Sequence, residues 1–302
     1  MKWERENGMK RTLTVIVAAA ALVVSACGSK EDLSGSNQQS ASGEVVVGSA
    51  DFTENKILAE IYAGALKATG AQVSVKSGIG ARELVVKALQ DKSLGVVPEY
   101  TGNLLNYFDK TNTTTASDEV YKALKDKTPA GLEVLFKSDA EDKDVLVVTK
   151  ETADSGVASI ADLGDGKYVL GAAGEWGQRW KDKVKELYGV TFKEIKTTDA
   201  GGPITVDALK NGTAQVANLY TTSADIKANS FVELKDPKNM YPAQNIIPLL
   251  RSDAVNQAGK DALNKVSAAL TTVNLAELVK RVDIDKETVA NVAADFLKNV
   301  KL

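Results

Sequence analysis

The 302-residue sequence contains no histidine. A Ser-His-Asp triad, an imidazole general base and a His-bound zinc are therefore all excluded. It has one cysteine, Cys27, so no disulfide can form within the chain. Aromatic residues make up 6% and prolines number six. The formal charge is only −3, with no concentrated basic face of the kind a nucleic-acid binder needs. Beyond the N-terminal segment, no apolar run is long enough to cross a bilayer, which takes ~20 residues.

The chain starts with an address. Lys10-Arg11 precedes an apolar run from Leu13 to Val24, followed by Ser25-Ala26-Cys27. A basic start, a short apolar middle and small residues at the break describe a secretory signal over residues 1–26, for which Met9 is a more typical start than Met1. Val24-Ser25-Ala26-Cys27 resembles a bacterial lipobox, which implies cleavage before Cys27 and a diacylglycerol on its thiol. The Ser-, Gly- and Gln-rich stretch over 27–43 then reads as a flexible tether. The expected location is the outer face of a bacterial cell membrane, held by lipid.

From Glu44 onward, strand and helix patterns alternate. The first series is strand Val45–Val47, a helix capped by Thr53 and ended by Gly70, strand Val73–Val75, helix Arg82–Leu89, and strand Leu94–Val97 stopped by Pro98. Helices near Leu104–Phe108 and Ser117–Lys125 and strands near Leu132–Leu135 and Val145–Val148 follow. A second series contains strand Tyr168–Ala172, helix Arg179–Leu187, strand Val190–Ile195, helix Thr205–Lys210, strand Ala214–Leu219, a helix near Ala224–Ala228 and a strand near Ile246–Leu249. The last fifty residues read as helices capped by Asp253, Asn274 and Asp285.

Two successive βαβ series predict two α/β lobes. Lobe 1 spans 44–143 and 251–302, lobe 2 spans 144–250, and the chain crosses near Asp142–Val145 and Pro248–Arg251. The apolar stripes of the tail are expected to cover the first lobe. Ligands of such folds sit beyond the carboxyl ends of strands, here the loops starting at Ser49, Gly78, Pro98, Asp142, Ala173 and Tyr220. Tyr100 and Tyr220 end corresponding strands in the two lobes, and two ring faces across a cleft can hold a cation at ~0.5–2 kcal/mol each.

Several motifs occur together: Gly48-Ser49-Ala50-Asp51-Phe52-Thr53-Glu54, Pro98-Glu99-Tyr100-Thr101-Gly102, Leu219-Tyr220-Thr221-Thr222 with Asp225, and Tyr241-Pro242 with Pro248-Leu249-Leu250-Arg251. As an ordered set they resemble the quaternary-amine-binding proteins of osmoprotectant ABC importers over residues 44–300. The resemblance implies a type II periplasmic-binding-protein fold with two crossover strands and a helical C-terminal segment. It implies a monomer that captures choline, glycine betaine or a relative and delivers it to a permease and its ATPase, without cofactor, metal or catalysis. Tyr100 and Tyr220 fall on two positions of an aromatic cage, Arg179 near a carboxylate-gripping arginine, and Thr101 and Asn103 on small polar contacts, with Ser49 a further candidate ligand-binding residue. Asp142 lies at the first crossover. Where many members have further tyrosines this chain has Asp144 and Gln244, and where lysine is common it has Ala50, so a carboxylate-bearing ligand is less favoured than a simple cation. Trp176 is expected to pack in the core, or else to replace a missing ring.

Two other readings remain on the sequence. A surface hydrolase would use Glu99, Asp142 and Asp144 as an acid–base pair. An adhesion or signalling lipoprotein would borrow the binding fold. Within the family, a non-quaternary solute such as an amino acid or polyamine is the alternative ligand.

Overall fold

The computed structural model describes residues 43–302. The signal segment 1–26, Cys27 and all of the tether but Gly43 lie outside them. No helix among the described residues is long and apolar enough to cross a membrane.

In chain order the elements are β1 (Val45–Gly48), α1 (Thr53–Ala68), β2 (Val73–Lys76), α2 (Arg82–Gln90), β3 (Val96–Tyr100), α3 (Thr101–Phe108), α4 (Ser117–Lys127) and β4 (Leu132–Val134). Next come β5 (Asp144–Val148), α5 (Lys150–Asp154), β6 (Val169–Ala172), α6 (Gly174–Tyr188), β7 (Glu194–Thr197), α7 (Pro203–Lys210), β8 (Val216–Tyr220), α8 (Ala224–Ala228) and β9 (Val232–Glu233). β10 (Ile246–Arg251) and the helices α9 (Gln257–Ala269), α10 (Thr272–Asp283) and α11 (Val289–Lys298) complete the chain.

Two five-stranded sheets form, in the orders β2-β1-β3-β10-β4 and β7-β6-β8-β5-β9. They share one plan. The first three strands of each are parallel, and the fourth is antiparallel and contributed by a crossover: β10 returning in the first sheet, β5 entering in the second. Both faces of each sheet are covered, as parallel strands require. α1, α9, α10 and α11 bury Ile57, Leu58, Ile61, Leu263, Leu275, Val292 and Phe296 on one face of the first sheet. α2, α3 and α4 bury Val86, Leu89, Leu104 and Leu124 on the other. In the second lobe Trp176, Trp180 and Val184 of α6 cover one face, and Val206 and Leu209 of α7 with Ile226 of α8 the other. This is the two-lobed α/β fold expected from the alternating pattern, with its helical C-terminal segment.

The structure corrects several details. β10 pairs with β3 and β4, so residues 246–250 belong to the first lobe, and the chain recrosses before Ile246 rather than at Pro248–Arg251. Pro98 does not stop its strand. It lies opposite Pro248, two residues from the Tyr100–Ile246 pair. The Thr101 amide donates to Asn245 O, which makes Tyr100–Ile246 a pair that exchanges no hydrogen bonds. By alternation the two prolines form another such pair, where no N–H donor is needed. α1 begins after Phe52 without a side-chain cap, because the Thr53 hydroxyl donates to Asp283 instead. The segment Val190–Ile195 becomes a strand only from Glu194, in register with Val169, with Thr191 making an isolated parallel bridge to Asp165.

The last three helices are capped by Asn256, Thr271 and Thr288 rather than Asp253, Asn274 and Asp285. Thr271 and Asn274 form a reciprocal capping box. Replacing Thr271 by Ala is expected to cost about 1 kcal/mol, read as a lower urea midpoint with an unchanged slope; an unshifted midpoint would mean that the box contributes nothing.

Candidate functional site

The two crossover segments run side by side. Glu141 bridges Asn245 in antiparallel fashion, the Asp142 amide donates to Gln244 O at 3.1 Å, and the Ile246 amide to Ala140 O at 3.0 Å. Each lobe adds a tyrosine-threonine pair at the end of its third strand. Tyr100 ends β3 and Tyr220 ends β8, and the threonine after each clasps a crossover. The Thr101 hydroxyl donates to Ala243 O at 3.2 Å and accepts from the Asn245 amide at 3.0 Å. The Thr221 hydroxyl donates to Glu141 O at 2.7 Å and accepts from the Lys143 amide at 3.2 Å. Both tyrosines face one cavity of about 810 Å³ between the lobes. It is walled by Ala50–Asn55, Gly80–Arg82, Pro98–Tyr100, Asn103, Asp142, Ala200 and Tyr220, with Thr222 and Ser223 beside it. The loop after β7 contributes Ala200; the expected loop at Ala173 lies elsewhere.

Tyr100 is buried, and its hydroxyl donates to Glu54 Oε1 at 2.8 Å. Its ring centroid is 6.1 Å from that of Phe52, a residue more than two-fifths exposed at the cavity mouth. Tyr220 is 37% exposed and contributes a ring from the opposite lobe. Asn55 ties this wall together, accepting from the Ala50 amide at 2.7 Å and donating to Pro98 O at 3.2 Å.

The cavity is acidic. Asp142 accepts from the Thr222 hydroxyl at 2.9 Å. Burial pushes its carboxyl up to about 6; the Thr222 hydroxyl opposes the rise and the Asp144 charge adds to it. Burial, then the Asp142 charge, raises Glu54 well above the ordinary carboxylate range, with the Thr222 and Tyr100 hydroxyls acting against the shift. Among the described residues, Arg82 is the only basic side chain lining this cavity. Glu99 holds it in a bidentate pair with contacts of 2.9, 3.0 and 2.9 Å.

The other expected site residues are distributed differently. Asp144, Arg179 and Gln244 line an adjoining cavity of about 180 Å³ with Trp180 and Tyr241, and Asn103 borders both; Asp144 is the cross-strand partner of Tyr220, and the charges of Asp144 and Arg179 both act on that tyrosine. The Arg179 guanidinium lies 5.0 Å over the Trp180 ring. Gln244 accepts from the Asn103 amide at 2.9 Å. Thr101 is fully buried on the hinge, and Ser49, also fully buried, accepts from the Gly78 amide at 3.1 Å. Neither reaches the cavity. Trp176 is packing: its indole donates to Tyr241 at 2.8 Å and meets Phe192 edge-on at 5.7 Å. The rings that line the larger cavity are those of Phe52, Tyr100 and Tyr220.

Sequence reasoning missed Phe52, Glu54 and Arg82 as wall residues. Glu54 had a usable signal. It falls in helical phase with Leu58, Ile61 and Leu66 on the buried stripe of α1, and an acid in phase with a core stripe is an expensive placement.

Two lobes of matching topology, joined by two adjacent crossovers with a cavity between them lined by residues of both, define a hinged solute-binding protein. The family model for the substrate binding domain of ABC-type glycine betaine transport system matches residues 43–299. The chain belongs to that family, a family of extracytoplasmic solute-binding components of transporters. It is 30% identical over 274 residues to a glycine-betaine-binding protein of Pseudomonas aeruginosa, covering 83% of this chain and 86% of the relative. It is 25% identical over 277 residues to the glycine betaine-binding protein YehZ of Escherichia coli, covering 85% and 91%. The apo structure of that Escherichia coli protein superimposes with a TM-score of 0.72, covering 84% of this chain and 98% of that one. A crystal structure of a glycine betaine/carnitine/choline ABC transporter shares the fold with a TM-score of 0.78 at 21% identity, over 84% and 97% of the chains.

Proposed function

We propose that this protein captures a small quaternary amine between its lobes and hands it to an ABC permease, working as a monomer tethered through lipid on Cys27 to the outer face of the cell membrane. The observation that carries the reading is a cavity lined by rings from both lobes, Phe52 and Tyr100 against Tyr220, together with the buried carboxyl of Glu54 and the half-buried one of Asp142. A methylated ammonium offers no hydrogen-bond donor on its nitrogen, so ring quadrupoles and nearby negative charge are the forces available to hold it. Contacts from both lobes make the closed state the one the solute favours, and closure about residues 140–144 and 241–245 presents a changed surface to the permease.

A thermal-shift panel of choline, glycine betaine, carnitine, free amino acids and polyamines tests this. A ligand present at a hundredfold its Kd stabilises by about 2.7 kcal/mol, a rise of several degrees for a protein of this size. Quaternary amines are expected to raise Tm. A rise with amino acids or polyamines alone would move the assignment to a non-quaternary solute on the same fold.

Affinity for the cation should depend on pH. A bound cation favours the ionised carboxyl, so affinity is complete above the Asp142 value of about 6 and is lost as pH falls through it. From pH 7.5 to 5.0 one linked proton raises Kd about tenfold, measurable by titration calorimetry. The empty protein follows the opposite sense: Asp142 is raised on folding, so its contribution to stability declines as pH rises from about 4 toward 6. A flat Kd across this range would remove Asp142 from the site.

A further inference from the structure

We propose that α10 is a brace between the lobes: Thr272 on the crossover, and Glu277 against Lys227 of the second lobe, bias the cleft toward closure and so set solute affinity without touching the solute. The inference rests on capture between hinged lobes as read above, and goes beyond it by naming the residues that bias the hinge.

α10 belongs to the first lobe, in whose core Leu275, Leu278 and Val279 are buried. Its 12 residues run about 18 Å. At its start the Thr272 hydroxyl accepts from the Glu141 amide at 3.1 Å, and just before it Leu270 O accepts from the Ala140 amide at 3.2 Å. The carbonyl of the same Glu141 accepts from the Thr221 hydroxyl of the second lobe, so this hinge residue is held from both sides. At the other end Val279 and Asp283 line the cavity, and Asp283 accepts from the Thr53 hydroxyl at 2.7 Å. Thr272, Val279 and Asp283 stand at i, i+7 and i+11 and so share one face, which runs from hinge to cavity.

Midway along, α10 packs against α8 of the second lobe, and Lys227 Nζ lies 3.5 Å from Glu277 Oε2. α8 follows Tyr220, Thr222 and Ser223, which line the cavity from that lobe. The α8–α10 contact therefore joins the two walls away from the crossovers, and swinging the lobes apart about residues 140–144 and 241–245 breaks it. A contact that opening breaks raises the population of the closed, binding-competent form, and apparent affinity scales with that population. The neighbouring charge is Lys280, 3.8 Å from Glu277 and itself held by Asp285 at 2.6 Å. Thr272, Glu277 and Lys227 line neither the larger cavity nor the smaller one, which makes them positioning residues.

Lys227→Glu, Glu277→Lys and the exchanged pair carrying both substitutions test the proposal, with Thr272→Val and the conservative Thr272→Ser at the hinge. The readouts are small-angle scattering of the ligand-free protein, titration calorimetry with choline and glycine betaine, and melting curves. Both members of the ion pair reach solvent, so the Tm of the ligand-free protein should stay where it was. Each reversal is expected to raise the Kd of a bound amine about threefold to fivefold at low salt and to enlarge the ligand-free radius of gyration. The effect should fade near 1 M salt, where charges act over only ~3 Å. The exchanged pair should recover the wild-type values. Thr272→Val is expected to raise Kd and Thr272→Ser to keep it. Reversals that leave Kd and the radius of gyration unchanged, whatever happens to Tm, overturn the brace, and so does an exchanged pair that binds as weakly as its parents. If wild type binds neither amine, the amine reading falls by itself, and the ligand-free radius of gyration decides the brace.

Discussion

Replacing Tyr100 by Ala and Tyr220 by Ala is expected to weaken binding of a quaternary amine to similar degrees while affecting stability very differently. Each loses one ring face on the cation, about 1–2 kcal/mol in a desolvated cleft, or roughly five- to thirtyfold in Kd. Tyr100 is buried in the first lobe's core beside Val96 and Ile246, so its truncation also leaves a cavity and should cost about 3–5 kcal/mol of stability. It removes the donor to Glu54 Oε1 as well. Tyr220 is 37% exposed and rests against Gly201, so its truncation should cost no more than about 1 kcal/mol. Calorimetry with a quaternary amine and urea denaturation of the same preparations separate the two effects. Wild-type affinity in both variants would show that neither ring holds the ligand, whatever the denaturation curves do.

The second large effect is expected at the hinge. Gly102 opens α3 directly behind Thr101 and lies against the returning crossover. A Cβ there would stand 2.6 Å from Ala243 O and 3.0 Å from Gln244 Nε2. The oxygen is backbone, fixed by the bonds that Thr101 makes to Ala243 and Asn245, so it cannot yield as a flexible side chain would. Gly102→Ala is therefore expected to cost about 1–3 kcal/mol, lowering Tm by about 2–4 °C for each kcal/mol. Because the displaced strand is one of the two crossovers, solute affinity should change as well. An unaltered Tm and Kd would mean that the crossover shifts freely and that the close approach plays no part in setting the lobes.

How far the sequence foretold the molecule varies by feature. The alternation of β-branched runs with 3.6-residue stripes, as in Val45–Val47 followed by Ile57, Leu58, Ile61 and Leu66, marks strands and helices because each element must bury one face. That signal is local and strong, and it reached the two-lobe architecture. It did not reach β9, a two-residue strand that exists only through pairing with Val147 and Val148. Nor did it reach the lobe membership of β10, since Ile246–Arg251 is equally apolar whichever sheet it joins. Pro98 misled because its tolerance depends on the hydrogen-bonding phase of the partner strand, which no single segment carries.

The binding cavity divides along the same line. Tyr100 and Tyr220 were legible because each follows a strand at the carboxyl end, where sheet topology places ligands. The family resemblance groups Asp144, Gln244 and Arg179 with them; these border the adjoining smaller cavity, with Asp144 the cross-strand partner of Tyr220. Residues two apart on a strand face the same side, but Asp142 lies on the crossover, before β5 begins at Asp144. Thr101 is polar and adjacent to a cage tyrosine, but only the position of the second crossover reveals that its hydroxyl is spent on the hinge.

By itself, the sequence determined the chemistry that is excluded, the order of strands and helices, and the kind of side chain available to a ligand, because these follow from residue types and their periodicity along one chain. The tertiary structure alone decided which acids stand together, that Arg82 is neutralised by Glu99, and that α10 of the first lobe reaches α8 of the second. Those facts depend on distances between segments far apart in sequence, where burial removes the water that would otherwise make every carboxylate alike.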